Sequence, residues 1–176
     1  MLKKVPLHRA YRLINNAPVV LITSGNRSER DIATFSWVSM VNSSPAVVAA
    51  HIWGGSYTAG LITKYREFVV NVPSIAMKDI VISCGGKSGY ETDKFKEFHL
   101  KTKKSSTVQP LSICGCPGYL ECKIVKKTDF HDICVYYGEV TLAKAEKELF
   151  TDRWNLAKVS FLHHLGDNNF SKEVGI

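Results

Sequence analysis

Short β-branched apolar runs closed by turn formers recur along this chain, and they limit its architecture more tightly than any other property of the sequence. Residues 18–23 end at Ser24-Gly25-Asn26, residues 32–41 and 47–53 are separated by Asn42-Ser43-Ser44-Pro45, and residues 67–72 end at Pro73. Polar side chains, glycine and proline in those breaks favour loops, so the runs between them are predicted strands. In residues 120–127, Leu120, Cys122 and Ile124 alternate with Glu121, Lys123 and Val125, which predicts a strand with one wet face. Residues 133–142, rich in Val and Tyr, give another. Helical spacing is confined to short pieces: 56–65, where Tyr57, Leu61, Ile62 and Tyr65 follow caps at Ser56 and Thr58, then 74–83 and 92–98. This is not the strand-helix alternation of a doubly wound parallel sheet. The expected class is mainly β, a mostly antiparallel barrel with short helical inserts.

Composition removes several alternatives. With 176 residues, 45% of them hydrophobic and 22% charged, the chain fits one globular domain over residues 1–176 rather than a disordered or fibrous protein. Its longest apolar stretches, 17–22 and 46–50, fall well short of the ~20 residues a membrane-spanning helix needs. Behind Lys3 and Lys4, the residues His8, Arg9 and Arg12 interrupt any signal-peptide core, so a cytoplasmic protein is expected. Five cysteines, an odd number in a chain of this length, point to free thiols. The balance of 23 basic against 16 acidic residues gives 23 − 16 = +7, which suits nucleic acid, an acidic partner or a phosphorylated ligand. Lysines and aromatics do not interleave as in an RNA-binding sheet, so a basic nucleic-acid module ranks last among these.

Motifs narrow the chemistry further. Gly85-Gly86-Lys87-Ser88-Gly89 imitates the end of a Walker A loop, but the position of its first glycine is Val81. No Gly-x-Gly-x-x-Gly follows a strand, and no Gly-x-Ser-x-Gly elbow is present. What remains at 85–89 is a glycine-rich loop with several donors. Gly54-Gly55-Ser56-Tyr57-Thr58 leads from a strand into a helix, placing free N–H groups and two hydroxyls at a positive dipole end, where they serve either as an ordinary cap or as a phosphate cradle. Cys114-Gly115-Cys116, with Cys122, His131, Cys134, His163 and His164, lacks the second ligand pair of a structural zinc site, and no metal is expected.

Several segments, in order, resemble the flavin reductase family of FMN-binding split-barrel proteins, most of all its flavoredoxin branch. They are Pro18-Val19-Val20-Leu21-Ile22-Thr23, Ala33-Thr34-Phe35-Ser36-Trp37-Val38, Ser44-Pro45, Ser56-Tyr57-Thr58, Glu67-Phe68-Val69-Val70-Asn71-Val72-Pro73, Ser88-Gly89 with Asp93-Lys94-Phe95, and His131 ahead of Tyr137-Gly138-Glu139-Val140. The resemblance implies an antiparallel, Greek-key-like split β-barrel that binds one FMN per subunit and pairs as a homodimer. It implies Thr34, Ser36 and Trp37 beside the isoalloxazine, Ser56, Tyr57 and Thr58 near the phosphate, and Ser88, Gly89 and Lys94 on the loop over phosphate and ribityl groups. Asn71 and His131 would lie near the ring system, with His131 the catalytic candidate. Read without the family, Trp37 is equally a core residue, His131 a surface loop residue, Lys94 a solvated helix residue and Asn71 a strand end. Asp31 departs from the family pattern of Asn there, and pointing inward it would repel a phosphate or a reduced flavin. The implied activity is electron transfer between NADH or NADPH, flavin and a downstream acceptor, small molecule or protein. An electron-transfer flavoprotein without nicotinamide activity is the alternative.

Overall fold

The computed structural model describes Leu13 and residues 17–173; Lys3, Lys4, His8, Arg9 and Arg12 lie outside the described residues. Its main body is a seven-stranded sheet built from β2 (Val20–Gly25), β3 (Arg30–Phe35), β4 (Val38–Ser43), β5 (Ala46–Trp53), β6 (Glu67–Val72), β9 (Gly118–Phe130) and β10 (Ile133–Ala145). The order is β3-β2-β6-β9-β10-β5-β4, and every neighbouring pair is antiparallel. A short strand β1 (Ala17–Pro18) pairs instead with a C-terminal hairpin, β11 (Leu162–Gly166) and β12 (Asn169–Lys172), while β7 (Thr102–Lys103) pairs with β8 (Ser112–Ile113).

Residues 32–41 do not form the single strand their apolar run suggests. The run breaks at Ser36 and Trp37 because β3 pairs with β2 while β4 pairs with β5, at opposite ends of the strand order. Two residues can join the first and last strands only if the sheet curls until its edges meet, since the chain reaches at most ~3.6 Å per residue. Ser36 and Trp37 therefore mark the split of the barrel. Core packing agrees: Val20 and Ile22 of β2, Val48, Ala50 and Ile52 of β5, and Tyr136 of β10 share one buried cluster.

Helix α1 (Tyr57–Tyr65) plugs this cluster with Ala59 and Ile62. Ser56 caps it, its hydroxyl accepting from the Ala59 N–H at 3.1 Å, and Arg66 ends it at φ 57°. The buried Tyr136 hydroxyl donates to the Ala59 carbonyl at 3.0 Å, tying β10 to the helix. At the β9–β10 bulge, a Cβ on Gly138 would lie 2.6 Å from the Phe68 ring, so only glycine lets that ring fill the barrel there.

The other face of β2 and β3 is covered by α2 (Lys78–Gly86), α3 (Lys94–Glu97) and β11, around Leu21, Ile32, Val81, Cys84, Phe95 and Leu162. Helix α2 runs further than residues 74–83: Gly85 and Gly86 form its last turn rather than a loop, with Gly85 packed on Thr34. Glu121 also departs from its strand pattern. It is fully buried, and its carboxylate accepts from the N–H groups of Ser106 and Thr107 and from the Thr107 hydroxyl, covering the face that alternation marks as wet.

Candidate functional site

Beside the split, a cavity of about 370 Å³ opens between β3, the start of α1 and the chain from Cys84 to Lys94. Its floor is Asp31, Ala33, Thr34 and Phe35; Ser56, Tyr57 and Thr58 close one side, and Ser88, Gly89 and Tyr90 the other. Local sequence explains the α1 end. Gly54 donates its N–H to the Asp132 carbonyl at 2.7 Å, and Gly55 lies under Trp53, whose ring would be 2.5 Å from any Cβ there. The helix thus starts flush with the end of β5. Its first turn holds no acidic side chain, and the Tyr57 and Thr58 N–H groups have no intrahelical carbonyl to reach.

Two adjacent dipeptides lock the opposite end. Arg30 pairs with Asp93 at 3.1 Å and Asp31 with Lys94 at 2.9 Å, so Arg30-Asp31 on β3 meets Asp93-Lys94 at the start of α3. Asp93 caps α3, accepting from the N–H groups of Phe95 and Lys96. The Asp31–Lys94 pair is almost fully buried, at 3% and 2% exposure. Asp31 also accepts from the Thr58 hydroxyl at 2.6 Å, and the Lys94 ammonium donates to the Cys84 and Lys87 carbonyls at 3.4 and 3.3 Å.

Asp31 thus does point inward, and its charge is answered by Lys94 and Thr58. The Lys94 ammonium lines the cavity but is committed to Asp31 and two carbonyls. Gly89 fits between the two walls because it has no side chain: a Cβ would stand 2.6 Å from both Asp31 Oδ1 and Tyr57 Cδ1. Burial pushes the Tyr57 hydroxyl pKa up, with the charges of Glu29 and Asp31 adding to it. Burial also pushes the Cys84 thiol to about 12, so this cavity-lining cysteine is a thiol rather than a thiolate.

The structure brings Thr34, Ser56, Tyr57, Thr58, Ser88, Gly89 and Lys94 to this cavity. It places Asn71 elsewhere. That side chain is fully buried, donating to the Leu21 carbonyl at 3.1 Å and accepting from the Ile113 N–H at 2.8 Å, a tie between β6, β2 and β8. His131 is on the exposed β9–β10 turn at φ 54°, its ring edge-on to Phe130, and it does not line the cavity. Trp37 lies at the split, and the indole lining the cavity is Trp53.

A smaller cavity of about 230 Å³ adjoins the first, sharing Thr34, Gly85 and Gly86 with it. Ser36 opens into this one, together with His164, Asp167 and Asn168 of the C-terminal hairpin, which sequence reasoning left unassigned. The signal was there: Phe161 to Leu165 is a short apolar run with two histidines, followed by the turn formers Gly166, Asp167, Asn168 and Asn169.

A curled antiparallel sheet with a helix plug and a cavity beside its split defines a β-barrel of the split type. The profile of the flavin reductase like domain family matches residues 12–159, and the chain belongs to that family. It is 30% identical over 173 residues to the uncharacterized protein YddH of Escherichia coli, covering 94% of this chain and 92% of that one. Among solved structures, flavoredoxin of Desulfovibrio vulgaris superposes with a TM-score of 0.86 at 21% identity, covering 99% of this chain and 95% of that one. Component B of nitrilotriacetate monooxygenase from Bacillus cereus gives 0.86 at 16% identity, with coverages of 100% and 97%. These two structures share the split-barrel fold.

Proposed function

We propose that this protein is an FMN-binding oxidoreductase of the flavin reductase type, which takes electrons from NADH or NADPH through flavin to a downstream acceptor. The observation that carries this reading is the larger cavity itself, placed by a flavin reductase like chain at the start of α1. Its residues suit the cofactor. Tyr57 and Thr58 N–H groups, with the Ser56 and Ser88 hydroxyls, supply donors for a phosphate at a positive dipole end. Gly89 keeps open a space that a Cβ would fill, and Trp53 and Phe35 offer apolar surface for a ring. FMN bound there would supply the hydride chemistry. The chain's part is to hold the phosphate, exclude water and fix the ring. Because Asp31 already engages Lys94, the helix dipole and neutral donors carry most of the anion recognition.

His131 and Trp37 join the site in this reading only through a second copy of the chain. Trp37, Met40, Val41, Trp53 and Phe130 are all exposed apolar side chains, set along the β4 edge, the end of β5 and the β9–β10 turn. A homodimer pairing through this face would cover the cavity mouth at Trp53. The five cysteines are free, which suits a reducing, cytoplasmic location. Titration with FMN, followed by quenching of flavin fluorescence, tests the reading: saturation at about one flavin per chain is expected. Absence of binding would overturn it. NADH or NADPH oxidation by the loaded protein then separates a reductase from an electron carrier.

A further inference from the structure

The smaller cavity has a chemistry of its own. Val19, Val81, Ile82 and Phe170 give it apolar walls, and Ser36 and His164 supply a hydroxyl and an imidazole at its polar side. Pockets for drug-sized ligands run to ~300–1,000 Å³, so a cavity of about 230 Å³ is the size for a single ring rather than a dinucleotide.

The imidazole is held in one sense. His164 Nε2 lies 2.9 Å from the Asp167 carbonyl oxygen, which can only accept, so Nε2 carries a proton in both charge states. The other ring nitrogen, Nδ1, is 3.3 Å from the Ser36 Oγ. With Nδ1 bare, the Ser36 hydroxyl donates to it. With Nδ1 protonated, it donates to Oγ, and the hydroxyl hydrogen is released toward another acceptor. Phe170 packs on the imidazole at 5.6 Å between ring centroids. Ser36 itself is fixed at the split, where β3 ends and β4 begins.

We propose that this cavity is a subsite for a flat, one-ring organic molecule carrying a carbonyl-type oxygen, which receives a hydrogen bond from Ser36 under the control of His164. Its redox use rests on the flavin reading above; its binding does not. In the reduction of such a compound, FMN bound in the neighbouring cavity would supply the hydride, two electrons and one proton together. The second proton reaches the oxygen from the Ser36 hydroxyl, which regains one from Nδ1 of protonated His164. The products are the reduced acceptor, oxidised flavin and neutral His164.

Acetophenone, one ring with one carbonyl, is the probe. Titrated into the purified protein with ¹⁵N-imidazole spectra recorded, it should shift the His164 Nδ1 resonance saturably, with and without FMN present. His164→Gln identifies the resonance, and His163→Gln, which removes a ring paired with Glu173, should leave the shift intact. Ser36→Ala should weaken acetophenone roughly fivefold or more at the acid end of a series from about pH 5 to 8, the size of one lost hydrogen bond, and less at the alkaline end, where the hydroxyl is turned to His164. Three results would overturn the proposal: no shift at His164 in the wild type, equal affinity in a folded Ser36→Ala, or displacement of acetophenone by FMN. The third needs no variant, and the first needs His164→Gln only to assign the resonance. Binding of acetophenone by a protein that ignores FMN would uphold the subsite and remove the flavin reading; FMN binding without acetophenone would do the reverse.

Discussion

At the scale of single residues, the Asp31–Lys94 pair decides how the larger cavity handles charge. A buried ion pair is weak as a source of stability, yet removing one partner strands the other. Lys94→Met should therefore cost about 3–5 kcal/mol in urea unfolding, and adding Asp31→Asn should restore most of the loss. A cycle without recovery would mean that Lys94 acts through its packing. Ligand specificity gives a second reading of the same pair. Asp31→Asn frees the ammonium, so affinity for FMN over riboflavin should rise on the order of tenfold, the worth of a charge-assisted hydrogen bond. An unchanged ratio would place the phosphate away from Lys94. Gly89→Ala puts a methyl 2.6 Å from Asp31 Oδ1 and Tyr57 Cδ1, and should cost about 1–3 kcal/mol together with flavin affinity. Local signals made much of this legible: a cap after two glycines, a second glycine-rich stretch, and Asp-Lys ahead of Phe95. Asn71 was not legible as a structural tie, because its partners at Leu21 and Ile113 stand 50 and 42 residues away.

At the scale of elements, β9 shows where periodicity stops being informative. Leu120, Cys122 and Ile124 do face the barrel side, but the opposite face at Glu121 is roofed by the segment carrying Ser106 and Thr107, which no local pattern announces. Burial pushes the Glu121 carboxyl up; the Ser106 and Thr107 N–H groups and the Thr107 hydroxyl outweigh it, and the net pKa lies below the ordinary 4.5. A carboxylate with a depressed folded pKa contributes stability that is complete above its unfolded pKa and is lost as pH falls through the folded one. Glu121→Gln, whose amide would set donors against donors, should destabilise by about 1–3 kcal/mol near pH 7. The gap between wild type and variant should close as pH falls below about 4.5, measured by urea unfolding across that range. A gap that persists at low pH would assign Glu121 a packing role. The C-terminal hairpin gives the same lesson in reverse. Its run and turn formers were visible at 161–169, but its pairing with β1, and hence the approach of His164 to Ser36, is a contact across most of the chain.

At the scale of the whole molecule, the strand order forces the split, and the split exposes an edge. Among the described residues β4 pairs only with β5, and a strand edge of that kind is a template for another chain. Met40 and Val41 on it are more than half exposed, as are Trp53 and Phe130 nearby. An apolar edge beside a cavity mouth is stable against aggregation when a second copy covers it, and that copy would also shield from water any flavin bound in the cavity. Placing charges there tests the arrangement. Met40→Glu with Val41→Glu should raise the dimer dissociation constant by about a hundredfold or more in sedimentation equilibrium, the effect of burying unpaired carboxylates. The folded monomer should still melt cooperatively, because β4 adds no side chain to the main buried cluster beyond Val38. Its FMN affinity should fall as the Trp53 mouth opens to solvent. A wild type that sediments as a monomer, or a double variant that stays dimeric, would move the interface elsewhere and leave the β4 edge free for the acceptor.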